Sequence, residues 1–481
     1  MRLPRDLCRH LQFVLVAMML CVLAACSSTD ISAATNPHAA GDFAAAATAA
    51  RELDADDDAD GIWILLEQGK ILMDAGDFGG ASAAFTQCSE RMDAAFEAMG
   101  DEGASVSGIA AVGANTLGDD RGLQYVGTVY DTVLLEAYAA LSALAAGDTA
   151  RAQACITRMH ERQEEAISQH EKRLAAVQVA AAEGAKKLEG VEMTPKGKDK
   201  KALKGEALVS ALDADAEESW KGLRAVGARK PGHTLVPYAL CVEAIVARAA
   251  GNTGAVQESL KTLSSTSPAS AEAAQNLSVA LGGTKPVTVV LFENGRSAWR
   301  EERRFGATLM KGIPIATLRS QPAHERARGL DVTGAGGAKL LCDVDELRYL
   351  EFSESLPAMK GRAITAWITK EVMMVAGAAM AGSDNNNSSY AGFALLLAGA
   401  ISQAAAGADL RTWDALPAEC CVLAVPTPAD GKLTVRSLGN APQQATCTVV
   451  PGKMNIVLVR STVAGKVAVY SFAVGAGVPK S

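Results

Sequence analysis

The sequence predicts an α+β protein, with an all-α helical repeat array in residues 26–283, a mixed strand and helix region in 284–418 and a small antiparallel β module in 419–481. Small and apolar residues recur at helical spacing in the first half. After Gly282-Gly283 the pattern changes to the period-2 alternation of strands, and in the last part the alternating runs are short and separated by turn residues. These two changes of pattern set the predicted boundaries.

The first 25 residues have the pattern of an export signal. Three arginines among the first nine residues precede an uncharged apolar run over 11–23, which is shorter than the roughly 20 residues that a membrane-spanning helix needs. Small residues at the cleavage point are typical of signals, and Leu23-Ala24-Ala25 before Cys26 resembles the ending of lipoprotein signals. We therefore predict a lipoprotein signal peptide in 1–25 and lipidation of Cys26. An ordinary secretory signal and an uncleaved anchor are the alternatives.

The residues after Cys26 and the overall charge indicate where the mature chain lies. Ser27 and Ser28 stand where an Asp often marks retention in the inner membrane, so we expect a lipid-anchored protein of the outer membrane that faces the periplasm. A multiply acylated Cys is sufficient as an anchor because each buried methylene adds ~0.8 kcal/mol. The formal net charge of −8 argues against a nucleic-acid partner held on a basic face.

A helical repeat pattern is visible from about residue 41 onward. Its clearest instance has a small residue, an apolar residue, a turn Gly, an aromatic residue and then Ala and Phe on a second helix: Gly69, Leu72, Gly76, Phe78, Ala81 and Phe85. These offsets match the tetratricopeptide pattern, in which Gly allows the turn and Ala lets the paired helices approach closely. Partial matches centre on Gly41, Gly147 and Gly251. We therefore predict a tetratricopeptide-like array.

A Lys-rich insert near 190–205 interrupts the predicted array. Four of its lysines lie close to Pro195: Lys196, Lys198, Lys200 and Lys201. Such a run can contact anionic lipid or polymer, but polar tracts without periodicity are more often solvated. We therefore expect a solvated loop here.

Strands and helices alternate in the region that follows. The β-branched run 287–292 predicts a strand, and Glu293-Asn294-Gly295 predicts a turn after it. The charged residues 297–306 are a candidate hairpin partner for that strand. Residues 356–380 predict a long helix, and the apolar stretch 390–406 is too short and too interrupted for a membrane span, so we expect a core helix there.

The acidic residues near position 60 match a calcium motif in part. Five residues fall at ligand or turn positions of an EF-hand loop: Asp56, Asp58, Asp60, Gly61 and Glu67. Position 9 of the loop is Ile64, which offers no side-chain oxygen. The alternative is an acidic helix N-terminus, which the helix dipole favours. Both interpretations stay open, and no metal site is predicted.

Seven cysteines follow the lipidation site: Cys88, Cys155, Cys241, Cys342, Cys420, Cys421 and Cys447. An odd number leaves at least one thiol unpaired within a monomer. The first three occur in helical patterns, and we expect them to be small buried hydrophobic residues. Because the periplasm is oxidising, we predict that Cys447 pairs with Cys420 or Cys421, which fall in the same β module.

Three common catalytic motifs do not occur in the sequence. It has no Gly-x-Ser-x-Gly elbow, no phosphate-binding P-loop and no His-Glu-x-x-His helix. Five histidines follow Cys26 without metal-ligand spacing: His38, His160, His170, His233 and His324. We therefore expect no catalytic residue, no cofactor and no enzymatic activity.

Two stretches of the second half carry a resemblance to a known family. One is 287–295, which ends in Phe-Glu-Asn-Gly, and the other is 408–417, with the pattern Ala-Asp-x-Arg-x-Trp-x-x-Leu-Pro. With Cys26 and the repeats, they resemble an uncharacterised family of bacterial lipoproteins with tetratricopeptide-like repeats. The resemblance covers nearly the whole mature chain, apart from the Lys-rich insert and the Asn run at 385–387. It implies a class and a location, since the family has no established activity.

Two functions follow as hypotheses. A repeat array offers an extended surface for protein partners, so the first is a membrane-anchored scaffold that binds envelope proteins. The second is an envelope polysaccharide-binding protein or hydrolase with a cleft in the C-terminal half. Its candidate site residues are Glu293, Asp409, Arg411 and Trp413. The competing structural interpretation is that Trp413 packs beneath the β module and that Arg411 pairs locally.

Overall fold

Among the residues that the structure describes, most helices precede the two main sheets, as expected for an α+β fold. The computed structural model describes residues 30–56, 59–103, 125–164, 179, 192–193, 203–204, 235–305, 313–381 and 407–474. The predicted signal peptide, Cys26 and the apolar stretch 390–406 lie outside these residues. So does the Lys-rich insert, apart from the antiparallel pairing of strand β1 (Glu192–Met193) with strand β2 (Leu203–Lys204).

Consecutive helices of the first part form pairs that are joined by tight turns. The helices are α1 (Ser32–Ala39), α2 (Phe43–Arg51), α3 (Gly61–Asp74), α4 (Phe78–Gly103), α5 (Val129–Ala145), α6 (149–164), α7 (Pro237–Ala249), α8 (Thr253–Thr266) and α9 (Pro268–Leu281). Helices α3 and α5 are buried along almost their whole length. Apolar residues accordingly occur around both helices rather than along one stripe, together with a few buried polar residues.

The same turn joins the helices of four pairs. A glycine with a left-handed backbone, φ between +74° and +84°, ends each first helix: Gly41, Gly76, Gly147 and Gly251. The amide of the next residue donates to the carbonyl five residues earlier, as from Asp77 to Leu72 at 2.9 Å. That next residue also caps the second helix with its side-chain oxygen. The prediction that these glycines form turns is confirmed.

The second part contains two main sheets and a separate hairpin. The strands are β3 (Val287–Asn294), β4 (Trp299–Phe305), β5 (Ile313–Arg319), β6 (Gly329–Val332), β7 (Gly336–Gly337), β8 (Lys339–Asp343), β9 (Glu419–Pro426), β10 (Lys432–Leu438), β11 (Gln444–Thr448), β12 (Asn455–Ser461) and β13 (Ala468–Ala473). The order of the five-stranded sheet is β13-β12-β3-β9-β8, in which only the β12–β3 pair is parallel. The four-stranded sheet has the order β11-β10-β6-β7.

Strand β3 is buried on both faces because a layer covers each side of it. Val289 and Leu291 pack against the helices in one core. Val290 and Phe292 point the other way and meet residues of the four-stranded sheet, such as Leu433, in a second core. The layers therefore follow the order helices, five-stranded sheet, four-stranded sheet.

Strand pairing differs from two expectations of the sequence. The charged stretch 297–306 does not pair with β3, since β4 pairs with β5 instead. The apolar strands β9 and β12 flank β3, where a strand carrying Glu301 and Arg303 would bury uncompensated charge. The last strands also do not form a module of their own, because β9, β12 and β13 share a sheet with β3, while β10 pairs with β6.

A long helix, α10 (Val344–Ala381), follows β8 and confirms the helix predicted over 356–380. Asp345 and Glu346 lie in its first turn, where the helix dipole favours negative charge. Within the described ranges, no helix is both long enough and apolar enough to cross a membrane.

Alanine at two of the turn glycines should separate backbone strain from crowding. Gly76 and Gly251 share a left-handed φ, so each variant should lose roughly 1–2 kcal/mol of unfolding free energy. A Cβ at Gly76 would also collide with the ring of Tyr470 in β13, whereas nothing lies within 4 Å of one at Gly251. We expect Gly76→Ala to lose about 1–3 kcal/mol more in urea unfolding. Equal losses would contradict the contact between this turn and β13.

Candidate functional site: a buried ionic junction between helices and sheet

Lys70 of α3 lies between the helices and the five-stranded sheet with its side chain completely buried. Its Nζ is 2.7 Å from Oε2 of Glu293 in β3 and also pairs with Asp74, one turn further along α3. Moving an isolated ammonium group out of water costs more than the whole net stability of a typical domain. A buried lysine therefore needs counter-charges at contact distance, and two carboxylates from different layers supply them here.

Arg460 of β12 approaches the same carboxylates from the sheet. Its Nε donates to Oδ2 of Asp74 at 2.9 Å. Its Nη atoms donate, over 2.6–3.2 Å, to the backbone carbonyls of three residues: Glu293, Gly295 and Ala415. One guanidinium group thus connects α3, the end of β3 and the chain that precedes β9. We call Lys70, Asp74, Glu293 and Arg460 the junction.

Simple periodicities place these four side chains together. Glu293 continues the row of β3 residues that faces the helices, and Arg460 does the same in β12 after Ile456 and Leu458. The parallel register sets Arg460 directly opposite Glu293. On α3, Lys70 and Asp74 are four residues apart and therefore share one face of the helix.

Polar groups from two further helices complete the hydrogen bonding of the junction. The Nε2 atom of His38, in α1, lies 2.7 Å from Oδ2 of Asp74. The hydroxyl group of Tyr238, in α7, donates to Oε1 of Glu293 at 2.8 Å. Each carboxylate therefore has a neutral partner in addition to its cationic ones.

Burial and neighbouring charges shift the pKa values of His38 and Asp74 in opposite directions. Burial lowers the pKa of His38 to about 4, although Asp74 opposes that shift. The ring is therefore neutral near pH 7 and donates from Nε2. Burial alone would raise the pKa of Asp74, but Lys70, Arg460 and His38 hold that pKa below its usual value. With a neutral histidine, two cations face two carboxylates.

Residues 407–417, which we call the docked segment, lie against the helices and contain a turn at Asp414 and Ala415. Trp413 of this segment is 0% exposed. The centroid of its indole ring is 6.2 Å from that of Phe85 in α4 and 5.8 Å from that of Tyr138 in α5. The ring of Tyr138 in turn lies 5.0 Å from Nζ of Lys70. An aromatic anchor thus connects the docked segment to the surroundings of the junction.

Side chains of α3 bind the backbone of the docked segment. The indole N–H of Trp63 donates to the carbonyl of Thr412 at 2.8 Å. The carboxyl group of Glu67 accepts hydrogen bonds from the amides of Asp414 and, at 3.0 Å, Ala415. Burial raises the pKa of Glu67 well above its usual value, and the nearby Asp414 carboxylate raises it further.

Arg411 serves as the counter-ion of Asp60 at the start of α3. Its Nη1 lies 2.9 Å from Oδ1 of Asp60, and its Nε lies 2.9 Å from Oδ1 of Asp409. Asp60 occupies the N-cap position of α3 but makes no side-chain capping hydrogen bond. The carboxylate therefore binds the docked segment rather than the free amides of its own helix.

The acidic residues that matched a calcium loop point to other partners. Asp60 and Glu67 bind the docked segment, Asp56 lies 3.5 Å from Arg91, and Asp58 is outside the described residues. In the part of the chain that the structure describes, no group of three or more His, Cys, Asp or Glu side chains could hold a metal ion. Two of the matching carboxylates, those of Asp60 and Glu67, thus bind a distant part of the chain.

A second buried ion pair connects α10 to α5. The Nη2 atom of Arg348 lies 3.1 Å from Oδ1 of Asp131 and donates to the carbonyl of Trp413 at 3.0 Å. Three residues further on, Oε1 of Glu351 accepts the amide of Val129 at 2.9 Å. Burial raises the pKa of Glu351 to about 7, with a further contribution from the charge of Asp131. Glu351 therefore titrates near neutral pH inside the fold.

These contacts test the hypothesis that Glu293, Asp409, Arg411 and Trp413 are site residues of a cleft. Glu293 and Arg411 are only 5% and 7% exposed, and Asp409 binds Arg411. The predicted local pairing of Arg411 is thus confirmed. A sugar cannot stack on Trp413, because its ring is fully buried. The hypothesis that Trp413 is a site residue of a polysaccharide-binding cleft was therefore wrong. Trp413 packs against helical aromatic rings rather than beneath the last strands. As arranged, the junction fixes the position of the helices on the sheet and offers no access to a substrate.

Three members of the junction were missed by reasoning from sequence: Lys70, Asp74 and Arg460. The available signal was a charged residue inside an apolar run. Lys70 directly precedes the apolar residues Ile71, Leu72 and Met73 of α3, and Arg460 directly follows four apolar strand residues. A charge on a face that must be buried indicates a partner, although it does not say which residue that partner is.

All seven cysteines after Cys26 are free thiols in the structure, so the pairing predicted for Cys447 is not formed. Cys420 lies in the core that faces the helices, whereas Cys421 and Cys447 contact the core between the sheets. Neighbouring residues of a strand point to opposite faces, which separates Cys420 from Cys421. The burial expected for three helical cysteines is confirmed: Cys88, Cys155 and Cys241.

Comparisons with known proteins identify no relative of this chain. No protein-family model, curated protein or solved structure matches the chain. The resemblance to an uncharacterised lipoprotein family therefore stays a prediction that rests on the motifs of the sequence.

Replacing Lys70 with Met should strongly destabilise the fold. The change leaves the buried carboxylate of Glu293 without its cation, while Asp74 keeps Arg460, and breaking a buried pair in this way typically costs about 3–5 kcal/mol. Arg51→Met is the control, because Arg51 and Asp77 form an ion pair that is largely exposed and such pairs contribute about 0–1 kcal/mol. Urea unfolding of both variants measures the difference. A loss for Lys70→Met no larger than that of the control would rule out the proposed role of the junction.

Glu351 should make the fold less stable as the pH rises through neutrality. Its pKa is raised to about 7 in the folded chain, against about 4.3 when unfolded, so the folded state binds the proton more tightly. This stabilisation is complete below about pH 4 and is lost as the pH rises through 7. We expect Glu351→Gln, which keeps the acceptor for Val129, to flatten the decline of unfolding free energy between about pH 4 and 7.

The control for this pH experiment is Glu272→Gln, since the carboxylate of Glu272 is 61% exposed. It should keep the slope of the natural chain. Other carboxyl groups whose pKa burial raises, Asp345 to about 7, Asp414 to about 6 and Glu67 well above its usual value, account for a slope that remains in Glu351→Gln. A slope that is identical in the natural chain and in Glu351→Gln would show that Glu351 does not titrate in this range.

Proposed function

We propose that the chain is a lipid-anchored scaffold in the outer membrane of a bacterial envelope, facing the periplasm. In this proposal residues 1–25 are removed, Cys26 carries the lipid, and tetratricopeptide-like helices bind other envelope proteins. The protein acts by holding partners in place, without catalysis, cofactor, metal or nucleic acid.

The internal use of its polar groups is the observation that supports this proposal best. A polysaccharide-binding protein or hydrolase needs carboxylates and aromatic rings that line an open cleft. The residues that would have served there, such as Glu293 and Trp413, are buried and bind other parts of the same chain. A scaffold needs no such groups, because it requires only a firmly held fold and an outer surface.

The repeated turn between paired helices supports a tetratricopeptide-like array. Four turns share the left-handed glycine and the capping residue after it. Helix α4 packs on both α3 and α5, and α5 packs on α7, as stacked repeats do.

The first helices of these pairs are not free to bind partners. Trp63 and Glu67 of α3, Tyr138 of α5 and Tyr238 of α7 all contact the sheet or the docked segment. The second helices keep an outward face, which in α8 carries exposed residues such as Gln257, Glu258 and Lys261. We therefore place the partner surface on the outward faces of the second helices.

The anchor can be tested through Cys26. Cells that express the natural chain and are fed an alkyne-tagged fatty acid should label it, and the chain should remain in the outer-membrane fraction. Cys26→Ala should lose both the label and the membrane association, whereas the control Cys447→Ala should keep both. A Cys26→Ala chain that is still labelled and still bound to the outer membrane would contradict the proposed anchor.

The scaffold role can be tested by crosslinking in intact cells. A photo-crosslinking amino acid in place of Glu258, on the outward face of α8, should give a discrete adduct with an envelope protein. The matched control carries the same amino acid in place of Lys432, which is exposed on β10 of the opposite layer. Adducts that are equal at both positions, or absent at position 258, would count against a partner surface on the helices.

A further inference from the structure

We infer that Cys342 and Cys420 form a disulfide between β8 and β9 when the chain folds in an oxidising compartment. The inference rests on the proposed function only for that compartment, because the geometry belongs to the chain itself. The pair is distinct from the pairing that the sequence predicted for Cys447.

The two residues lie directly opposite one another in the antiparallel ladder of β8 and β9. Opposed residues of such a ladder have Cα atoms about 4.5–5.5 Å apart, and a disulfide spans roughly 4.4–6.8 Å between Cα atoms. Opposed side chains leave the same face of the sheet, and both thiols lie in the core beneath the helices. The register of β8 shifts at Leu341, immediately before Cys342, so its backbone is already irregular there.

Neighbouring cysteines do not compete for this pairing. Cys421 is opposite Leu340 in β8 and points into the core between the sheets. Cys447 belongs to β11, in the other sheet, and also contacts that second core. Cys342 and Cys420 therefore share both a register position and a core.

Burial determines when the bond can form. The side chains of Cys342 and Cys420 are 3% and 1% exposed. Burial raises the pKa of Cys342 to about 12 and that of Cys420 well above its usual value. Because the thiolate is the attacking species in thiol–disulfide exchange, the two thiols react slowly once they are covered. The bond must therefore form while β8 and β9 assemble, before the helices pack over them.

The reaction is a thiol–disulfide exchange with an external disulfide. The oxidant is a thiol–disulfide oxidoreductase of the envelope in the cell, or glutathione disulfide in a test tube. One thiolate attacks the oxidant's disulfide and forms a mixed disulfide, and the second thiolate then displaces the oxidant's sulfur. Two protons leave the cysteines, and the electron pair reduces the oxidant to two thiols.

A bond at this position would close the part of the chain between β8 and β9. That part contains α10 and the docked segment. A crosslink between the ends of a long loop removes conformations from the unfolded chain. It would therefore stabilise the pairing of β9 with β3, where Cys420 lies opposite Glu293 of the junction.

Peptide mapping of the full-length chain without reduction tests the inference. The protein is recovered from the envelope fraction with free thiols alkylated, and a second sample of the same protein is reduced, unfolded and refolded in glutathione buffer. Trypsin should give peptide 340–348 joined to peptide 412–432, and reduction should separate them. Cys420→Ser should lose the joined peptide, whereas Cys421→Ser, in the same peptide, should keep it. Reduction should also lower the Tm by several degrees in the natural chain and leave that of Cys420→Ser unchanged.

The two samples distinguish failure of the disulfide from failure of the proposed location. The joined peptide in both samples supports both ideas. Its presence after refolding alone supports the disulfide and counts against export to an oxidising compartment. Its absence from both samples, or a link that uses Cys421 or Cys447 instead, overturns the inference.

Discussion

The buried ammonium group of Lys70 constrains how the helices and the five-stranded sheet fit together. It has no contact with water, so counter-charges must reach it at short range. Asp74 comes from the same helix and Glu293 from the central strand, and Arg460 balances the two carboxylates from the neighbouring strand. A movement of α3 along the sheet would separate these charges. The junction therefore permits one arrangement of the two layers, and the docked segment follows it, since Arg460 also binds the carbonyl of Ala415.

The junction selects one packing of helices and sheet more than it adds to the net stability of the fold. Buried ion pairs lose about as much hydration as they gain in attraction, and apolar replacements can be equally stable. The junction does select the register of β3. A slip of one residue would turn Glu293 away from Lys70 and into the apolar core between the sheets. The free energy of burial comes from the two cores on either side of that sheet, which hold Trp413 and Phe292 respectively. The charged junction thus fixes the position of the helices on the sheet, and apolar packing supplies the stability of the fold.

Local signals in the sequence were sufficient for local structure. The four left-handed glycines, the strand at 287–292 and the helix at 356–380 follow from rules that act over a few residues. Partners that are distant in the chain could not be predicted in this way. Glu67 was considered for a calcium loop because of its spacing from Asp56, yet its carboxyl group binds backbone amides of the docked segment. The partner of β4 was likewise missed, since alternation identifies a strand without saying which neighbours can be buried beside it.

The most distinctive stretches of this sequence, 287–295 and 408–417, therefore hold the fold together at the junction. The central claim is that the junction makes helices and sheet one cooperative unit. Hydrogen exchange of the whole chain under native conditions, read by mass spectrometry on peptides of α3 and β3, tests this most directly. We predict that the slowest amides of both elements exchange through the same opening, with equal free energies and the same dependence on denaturant. A β3 strand that stays protected while α3 opens separately would contradict the claim.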